Sequence, residues 1–427
     1  LHDRVSEVLG LHYSVPWPNR EFDTARRLRT SPVYDRLAGA NASFGSKMGW
    51  ERANFFAPAG QDPSIEYGWG KPSWLPWSSA EQRACREAVA IFDQTSFSKY
   101  VVHGADAEEA LQWICSNDVA VAPDQTVYTA LLNERGGYES DLTVTRIFED
   151  QFFLVSSSAT TERDQDWIRR HVPDRLDARI KDVTDLMAVY GVMGPRSREL
   201  LSRLTPADLG EEAFPFGSSR EIELAGATVR ATRITYVGEL GWELYVQGHD
   251  AVAVYDALKA AGVDLGLVDA GYYAIESMRL EKGYRAFGRE LTPEVDPVEA
   301  GLTFTCKLGT DIDFLGRDAV EKAKAAGPSR RLVSFACEDR DVMIWGGELL
   351  VRDGVGVGQA TSGAWGETLG AGVGLAWVNA PLGEVADAAY VRAGSYQLDV
   401  GGRRAPVRVS LKPLFDPEGL KIRDVGP

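Results

Sequence analysis

The spacing of apolar and polar positions divides this chain into three stretches. Residues 1–75 show no sustained period. LGLHYSVPWPNREF and FGSKMGWERANFFAPAG are rich in Pro, Gly, Trp and Arg and read as irregular and extended, with one short helix near SPVYDRLAGA. Such a segment wraps a larger body or links to one. From about residue 80, helical and strand periods alternate. SSAEQRACREAVAIFDQ predicts a helix with Ser78-Ser79 as N-cap and Ala84, Val89 and Ile91 in helical spacing. SKYVVHG predicts a strand, and DAEEALQWICSNDV a helix with Asp106 near its start. TVYTALLNERGGYESDLTVTRI predicts a hairpin around Gly136-Gly137, FFLVSSS a further strand, and TTERDQDWIRRHV an amphipathic helix.

The next stretch echoes that order without a sequence repeat. MAVYGVMGPRSRELLSRL reads as strand, turn and helix, and ATVRATRITYVGELGWELYV as a second hairpin with Gly238 and Gly241 around its turn. DAVAVYDALKAAG and LVDAGYYAIESMRLEKGY read as helices. Beyond Ala325-Ala326-Gly327-Pro328 come short strands: RRLVSFACE, GGELLVRDG, GVGQATSG, GVGLAWV, ADAAYVRAG and YQLDVGGRRAPVRVSL. Their frequent turn signals predict a small β-barrel or sandwich. The fold class is therefore α+β, with antiparallel sheets, helices and a C-terminal barrel. The expected organisation is an extended arm over 1–75, an α+β core of two related subdomains over 76–327, and the barrel over 328–427.

Composition narrows the function. A chain of 427 residues suits two or three packed domains. A net charge of −16 without a Lys/Arg run argues against a nucleic-acid partner, so an anionic ligand needs a local basic pocket. No apolar run is long enough for a membrane span, and a cytoplasmic location is expected. Cys85, Cys115, Cys306 and Cys337 are far apart with apolar neighbours and read as buried free thiols. His2, His12, His103, His171 and His249 are equally scattered, so no metal site is expected. GVGVGQA at 354–360 lies between strands with no helix after it, which removes the geometry of a dinucleotide loop. The Ser-rich SSSATTERD lacks a nucleophile elbow and reads as a strand end plus a helix cap at Thr160 or Thr161.

Each hairpin carries an acid beside a glycine turn. Asp141, Thr143 and Thr145 share one strand face, and Leu142 and Val144 the other. That polar face is either wet or lines a cleft where Asp141 is an acid/base or electrostatic group. Glu243 and Tyr245 oppose Trp242 and Leu244. Spacing alone favours a surface-facing Glu243. The alternative is a carboxylate matched to the N–H/NH2 edge of a pterin-like ring.

At these residues the chain resembles the glycine-cleavage T-protein (aminomethyltransferase) family. LLNERGGYESDLTV is similar to the turn carrying that family's essential Asp, and TYVGELGWELYV to its folate-binding hairpin. ESMRLEKGYRAFGRELTPEVDPVEAGL and SGAWGETLGAGVGLAWV resemble its third signature and barrel motif, so the likeness runs from about 80 to 416 in the family's order. LGLHYSVPWPNREF, LRTSPVYDRLAGANASFG and GWERANFFAP resemble the connector to a flavin oxidase domain in dimethylglycine oxidase, dimethylglycine dehydrogenase and sarcosine dehydrogenase. Two departures from T-protein stand out: Ile275 replaces an Arg four residues before Arg279, and Ser140 replaces the first Asp of an Asp-Asp pair.

The resemblance implies a T-protein-like folate-binding fold. It also implies tetrahydrofolate-dependent capture of the methylene group of an oxidised N-methyl amine, giving 5,10-methylenetetrahydrofolate. Asp141 would be catalytic, orienting the reacting nitrogens. Glu243 would grip the pterin edge, with Tyr236, Tyr284, Thr143 and Tyr128 around the ring. Arg279 would be either a folate contact or a structural partner of a nearby acid. Arg233, Arg285 and Arg289 are candidates for the basic pocket. No flavin fingerprint exists, so FAD is expected on a further domain or a partner flavin-dependent amine oxidase or dehydrogenase subunit. Two alternatives remain: a stand-alone demethylase making 5-methyltetrahydrofolate, and a non-catalytic folate-binding module.

Overall fold

A computed structural model describes residues 1–423. Its α+β architecture rests on two antiparallel-dominated sheets, a short hairpin and a closed barrel. The first sheet has five strands in the order Thr126–Leu132, Tyr138–Phe148, Gln151–Ser156, Ser98–His103 and Arg179–Asp182, all antiparallel. Helices Ala107–Ile114 and Thr161–His171 cover its apolar face through Leu111, Ile114 and Ile168. The second sheet has six strands in the order Ser219–Leu224, Ala227–Thr232, Gly241–Gln247, Met187–Met193, Val89–Asp93 and Leu267–Asp269. Only its last pair is parallel. Backbone bonds from Thr126 N to Gly217 O (2.7 Å) and from Ser219 N to Asp124 O (2.8 Å) tie the two sheets together.

Several elements differ from the sequence expectation, each for a local reason. The arm is more structured than its composition suggested. His2–Gly10 is helical, and FGSKMGWERANFF forms an antiparallel hairpin of Ala42–Lys47 with Trp50–Phe56. Val33, Leu37, Ala42 and Ala53 of the arm join the core of the second sheet. The helix assigned to SSAEQRACREAVAIFDQ runs Leu75–Glu87 and starts at Trp74, with Pro76 in its first turn. Ser78 and Ser79 are buried inside it rather than capping it, and Val89 and Ile91 belong to the next strand. Leu267, Val268 and Asp269 form a short parallel strand rather than the start of a helix.

The C-terminal strands Arg330–Cys337, Ala371–Asn379, Val355–Gly366, Leu349–Arg352, Tyr396–Val400 and Arg403–Ser410 close into a barrel. Within it, ADAAYVRAG is not a strand. Asp387 accepts from Tyr390 N at 2.7 Å and caps a helix over Ala388–Ala393. The helix Tyr272–Glu281 lies at the centre of the molecule, against the arm strand, the helix Leu75–Glu87 and the barrel strand Val355–Gly366. Four of its ten residues, Glu276, Ser277, Arg279 and Glu281, are polar, so its central position requires partners for them. Its buried Arg279 and Glu281 are both ion-paired.

Candidate functional site

Leu142 and Val144 point under the two helices of the first sheet. Strand alternation therefore places Asp141 and Thr143 on the opposite face, where both are half-buried. The neighbouring strand pairs Tyr128 with Thr143 and Ala130 with Asp141, so Tyr128 lies diagonal to the acid. Its hydroxyl donates to Asp141 Oδ2 at 2.9 Å. Burial pushes the Asp141 pKa up to about 6; the Tyr128 hydrogen bond opposes the rise and the charge of Glu290 adds to it. Among the described residues no second side chain donates to Asp141.

Glu243 lies on the strand Gly241–Gln247. Trp242, Leu244 and Val246 fill the core behind it. The surface-facing reading of Glu243 fails: it is 6% exposed, and Tyr245 Oη donates to its Oε2 at 2.5 Å. Tyr245 is itself wedged edge-on against Phe153 of the first sheet, ring centres 5.0 Å apart. Burial raises the Glu243 pKa, opposed by the Tyr245 bond and by the charge of Lys99. Lys99 is fully buried, and its Nζ donates to Thr95 O (2.8 Å) and Phe97 O (2.9 Å).

The loop before that strand carries Tyr236. Its hydroxyl donates to Arg285 O at 2.7 Å, and its ring stacks on Tyr284 at 5.8 Å and 13°. Burial is the main influence raising the Tyr236 pKa; Arg279 opposes it, and Glu276, Asp141 and Glu290 add to it. Arg279, fully buried, has every N–H occupied. Nε and Nη2 hold Glu276 (3.2 and 2.7 Å), Nη1 reaches Tyr284 O (2.9 Å) and Glu290 (3.0 Å), and Nη2 also reaches Ser362 Oγ (2.8 Å). Glu290 also accepts from Thr361 Oγ1 (2.7 Å) and Ser362 Oγ (2.5 Å), which fastens the barrel to this network.

Asp141, Tyr128, Tyr236, Tyr284 and Arg279 thus share one neighbourhood. Glu243 stands at its far side. Among the described residues no hydrogen bond or ion pair joins it to Asp141; the two are linked through Tyr272, Arg52, Glu276 and Tyr236, each acting electrostatically on the next. Of the expected basic residues, Arg233 is buried beside Trp242 and donates to Phe214 O at 2.7 Å, and Arg285 is held by Ala300 O at 2.8 Å. Arg289 keeps partial exposure beside Glu276. Two surface hollows of about 360 and 250 Å³ lie elsewhere, one along Ile168, Val172 and Ile180 and one along Arg29, Trp50 and Asp185. They contain none of these side chains, so convergent chemistry, not hollow size, defines the site.

Sequence reading missed Glu290, Arg52 and Asp164. Asp164 is buried behind the Asp141 strand, accepts from Ser156 Oγ (2.6 Å) and Thr160 Oγ1 (2.8 Å), and has a pKa pushed up to about 6 by burial. Its signal was the spacing to Ile168, which puts both on the helix's inner face.

The GCVT N-terminal domain matches residues 33–310, and the glycine cleavage T-protein C-terminal barrel domain matches 330–416. The chain belongs to the glycine-cleavage T-protein family. The fold agrees: the glycine cleavage system aminomethyltransferase T from Bartonella henselae superposes with a TM-score of 0.76 over 91% of this chain and 99% of that one, at 24% identity. Residues 1–31 match the central domain of FAD dependent oxidoreductases. A 4-methylaminobutanoate oxidase (formaldehyde-forming) from Paenarthrobacter nicotinovorans is 40% identical over 99% of this chain and 50% of its own length. Human mitochondrial sarcosine dehydrogenase is 35% identical over 100% of this chain and 50% of its own. The T-protein resemblance read from the hairpins is borne out, as is its link to N-methyl-amine-oxidising enzymes. This T-protein-type chain spans about half the length of these curated relatives.

Proposed function

We propose that this chain binds tetrahydrofolate and captures on it the one-carbon unit of an oxidised N-methyl amine, forming 5,10-methylenetetrahydrofolate. The partner in this reading is a flavin-dependent amine oxidase or dehydrogenase domain or subunit. The match of residues 1–31 to a flavin-oxidoreductase domain supports that pairing. Four buried free thiols suit a reducing, cytoplasmic setting.

The residues present fit a folate ring. Glu243 keeps Oε1 clear of any protein donor among the described residues, and one oxygen pair is what an aminopyrimidine edge requires. The Tyr138 hydroxyl, buried near Asp141, makes no hydrogen bond of normal geometry among the described residues, and Thr305 is a near polar neighbour. Tetrahydrofolate supplies two amine nitrogens that take up carbon at the formaldehyde level. The carbon leaves the iminium nitrogen, the demethylated amine departs carrying one proton, and one further proton is released. Asp141 is the group poised to accept a proton and to stabilise nearby positive charge, since its pKa of about 6 leaves it mostly ionised at neutrality. Tyr128 holds that carboxylate in place. Glu243, Thr143, Tyr236 and Tyr284 position the ring, converting an encounter into a local reaction. Arg279 acts by positioning: its donors are filled, so it orients Tyr284 and Glu290 rather than touching ligand.

The observation that carries this reading is Asp141, half-buried, held by a single side-chain hydrogen bond from Tyr128, with its pKa raised to about 6. The test is calorimetric titration of tetrahydrofolate into the chain, followed by turnover with the flavoprotein partner and mass analysis of the folate product. A methylene adduct supports the proposal. A methyl adduct moves the chain to the demethylase alternative, and absence of folate binding removes it from both.

A further inference from the structure

Arg52 is an unusual cation for its surroundings. It projects from the arm strand Trp50–Phe56 on the face opposite Glu51 and Ala53, which are tied to Arg26 and to the main core. Its guanidinium lies 3.2 Å from the centre of the Tyr272 ring. Its one hydrogen bond among the described residues is a long one, from Nη1 to Ser158 Oγ at 3.4 Å, and it forms no ion pair there.

Three acids act on it from a distance: Glu21, Asp93 and Glu276. Each is already engaged. Glu21 accepts from Ser46 N (2.9 Å) and Asn54 Nδ2 (3.2 Å), and Asp93 from Thr95 N (3.1 Å). Glu276 accepts from Arg279 (2.7 Å) and Arg289 (2.9 Å). Further positive charge crowds the same spot. Lys47, on the partner strand of the hairpin, is depressed by burial and by Arg52 and Arg289. Arg52 is only partly buried, and beyond the Ser158 contact its N–H groups have no hydrogen-bond partner among the described residues. A desolvated guanidinium costs free energy unless charge and hydrogen bonds compensate it. Arg279, on the same central helix as Tyr272, shows what full compensation looks like.

The geometry points to a carboxylate-binding site at Arg52, with Tyr272 as its floor and Lys47 and Arg289 at its flank. The planar guanidinium fork suits a carboxylate, which can take two parallel N–H bonds. The identity of the ligand rests on the proposed function. Two sources share this chemistry: the glutamate end of tetrahydrofolate, and the carboxylate of an N-methyl amino acid. The arm would then supply a functional side chain rather than serve only as a connector.

The test is calorimetric titration of the full chain and of Arg52→Met with three probes. These are tetrahydrofolate, 6-methyltetrahydropterin (which lacks the glutamate tail) and 4-methylaminobutanoate. A folate-tail site is shown if Arg52→Met raises the Kd of tetrahydrofolate about tenfold or more while sparing the tail-less pterin. An amino-acid site is shown if the same variant weakens 4-methylaminobutanoate and spares both pterins. Arg52→Lys, which keeps the charge without the fork, should fall between and serves where the Met variant unfolds. Equal losses for both pterins overturn the inference, as does no change with any probe. Wild-type protein that binds neither pterin sinks the folate reading, and the carboxylate site is then decided by 4-methylaminobutanoate alone.

Discussion

The hairpins Thr126–Phe148 and Ala227–Gln247 solve the same problem in two ways. Each buries alternate apolar residues in a core and leaves an acid on the other face, and each gives that acid a tyrosine hydroxyl. The tyrosines come from different directions. Tyr128 reaches Asp141 from the neighbouring strand and leaves the acid half-buried with no second side-chain donor among the described residues. Tyr245 reaches Glu243 from two residues along the same strand, is itself pinned by Phe153, and leaves the acid almost fully enclosed. One carboxylate is placed where protonation can change during a reaction. The other is placed where geometry is fixed. The proposed division between transfer at Asp141 and grip at Glu243 builds on that difference in enclosure.

The harshest way to break this comparison is to remove the strut behind the first acid. Arg279→Leu leaves Glu290 fully buried without its cation, while the half-buried Glu276 keeps only Arg289. It should cost about 3–5 kcal/mol of stability, read as a lower urea midpoint. Asp141→Asn sharpens the comparison instead. Transfer should fall by about 10²–10³ while the tetrahydrofolate Kd changes by less than roughly threefold. Glu243→Gln should do the reverse, raising Kd by about ten- to a hundredfold and leaving turnover at saturating folate within several-fold. If both substitutions hit the same parameter, the division of roles is wrong.

The faces of Asp141 and Glu243 were legible because a period of two fixes which side a residue takes. What covers that side was not. Tyr245, which donates to Glu243, meets Phe153 of another sheet, a contact between residues 92 positions apart that no local pattern encodes. The barrel was legible from its turn rhythm, and its helix Ala388–Ala393 was missed although Asp387 is a good N-cap residue. The arm hairpin was hidden by its turn. Met48 and Gly49 both have positive φ (49° and 85°), the geometry usually marked by Asn-Gly, and Met is a poor signal for it. Missing the hairpin also meant missing Arg52. The network of Arg279, Glu290 and Ser362 draws on a helix, a loop and the barrel, so its members look like unrelated polar residues in one dimension.

Removing the Tyr128 hydroxyl is the mildest change and the most specific. Burial holds the folded-state pKa of Asp141 near 6, above its ordinary value of 3.8, and the Tyr128 hydrogen bond restrains that rise. Transfer that needs the ionised acid should therefore fall as pH drops through about 6. In Tyr128→Phe the carboxylate loses its donor, its pKa rises further, and the acid limb of the rate profile should move toward neutral pH. The stability change has its own sign. A raised carboxyl pKa means the folded state binds the proton more tightly, so the cost of the buried charge is absent below the unfolded pKa and complete above the folded one. The variant should thus be destabilised more at pH 8 than at pH 4. Stopped-flow transfer rates and urea midpoints across that range check both limbs. A profile that stays in place would show that another group supplies the titration, and Asp164, buried behind the same strand with a pKa also near 6, is where that search would begin.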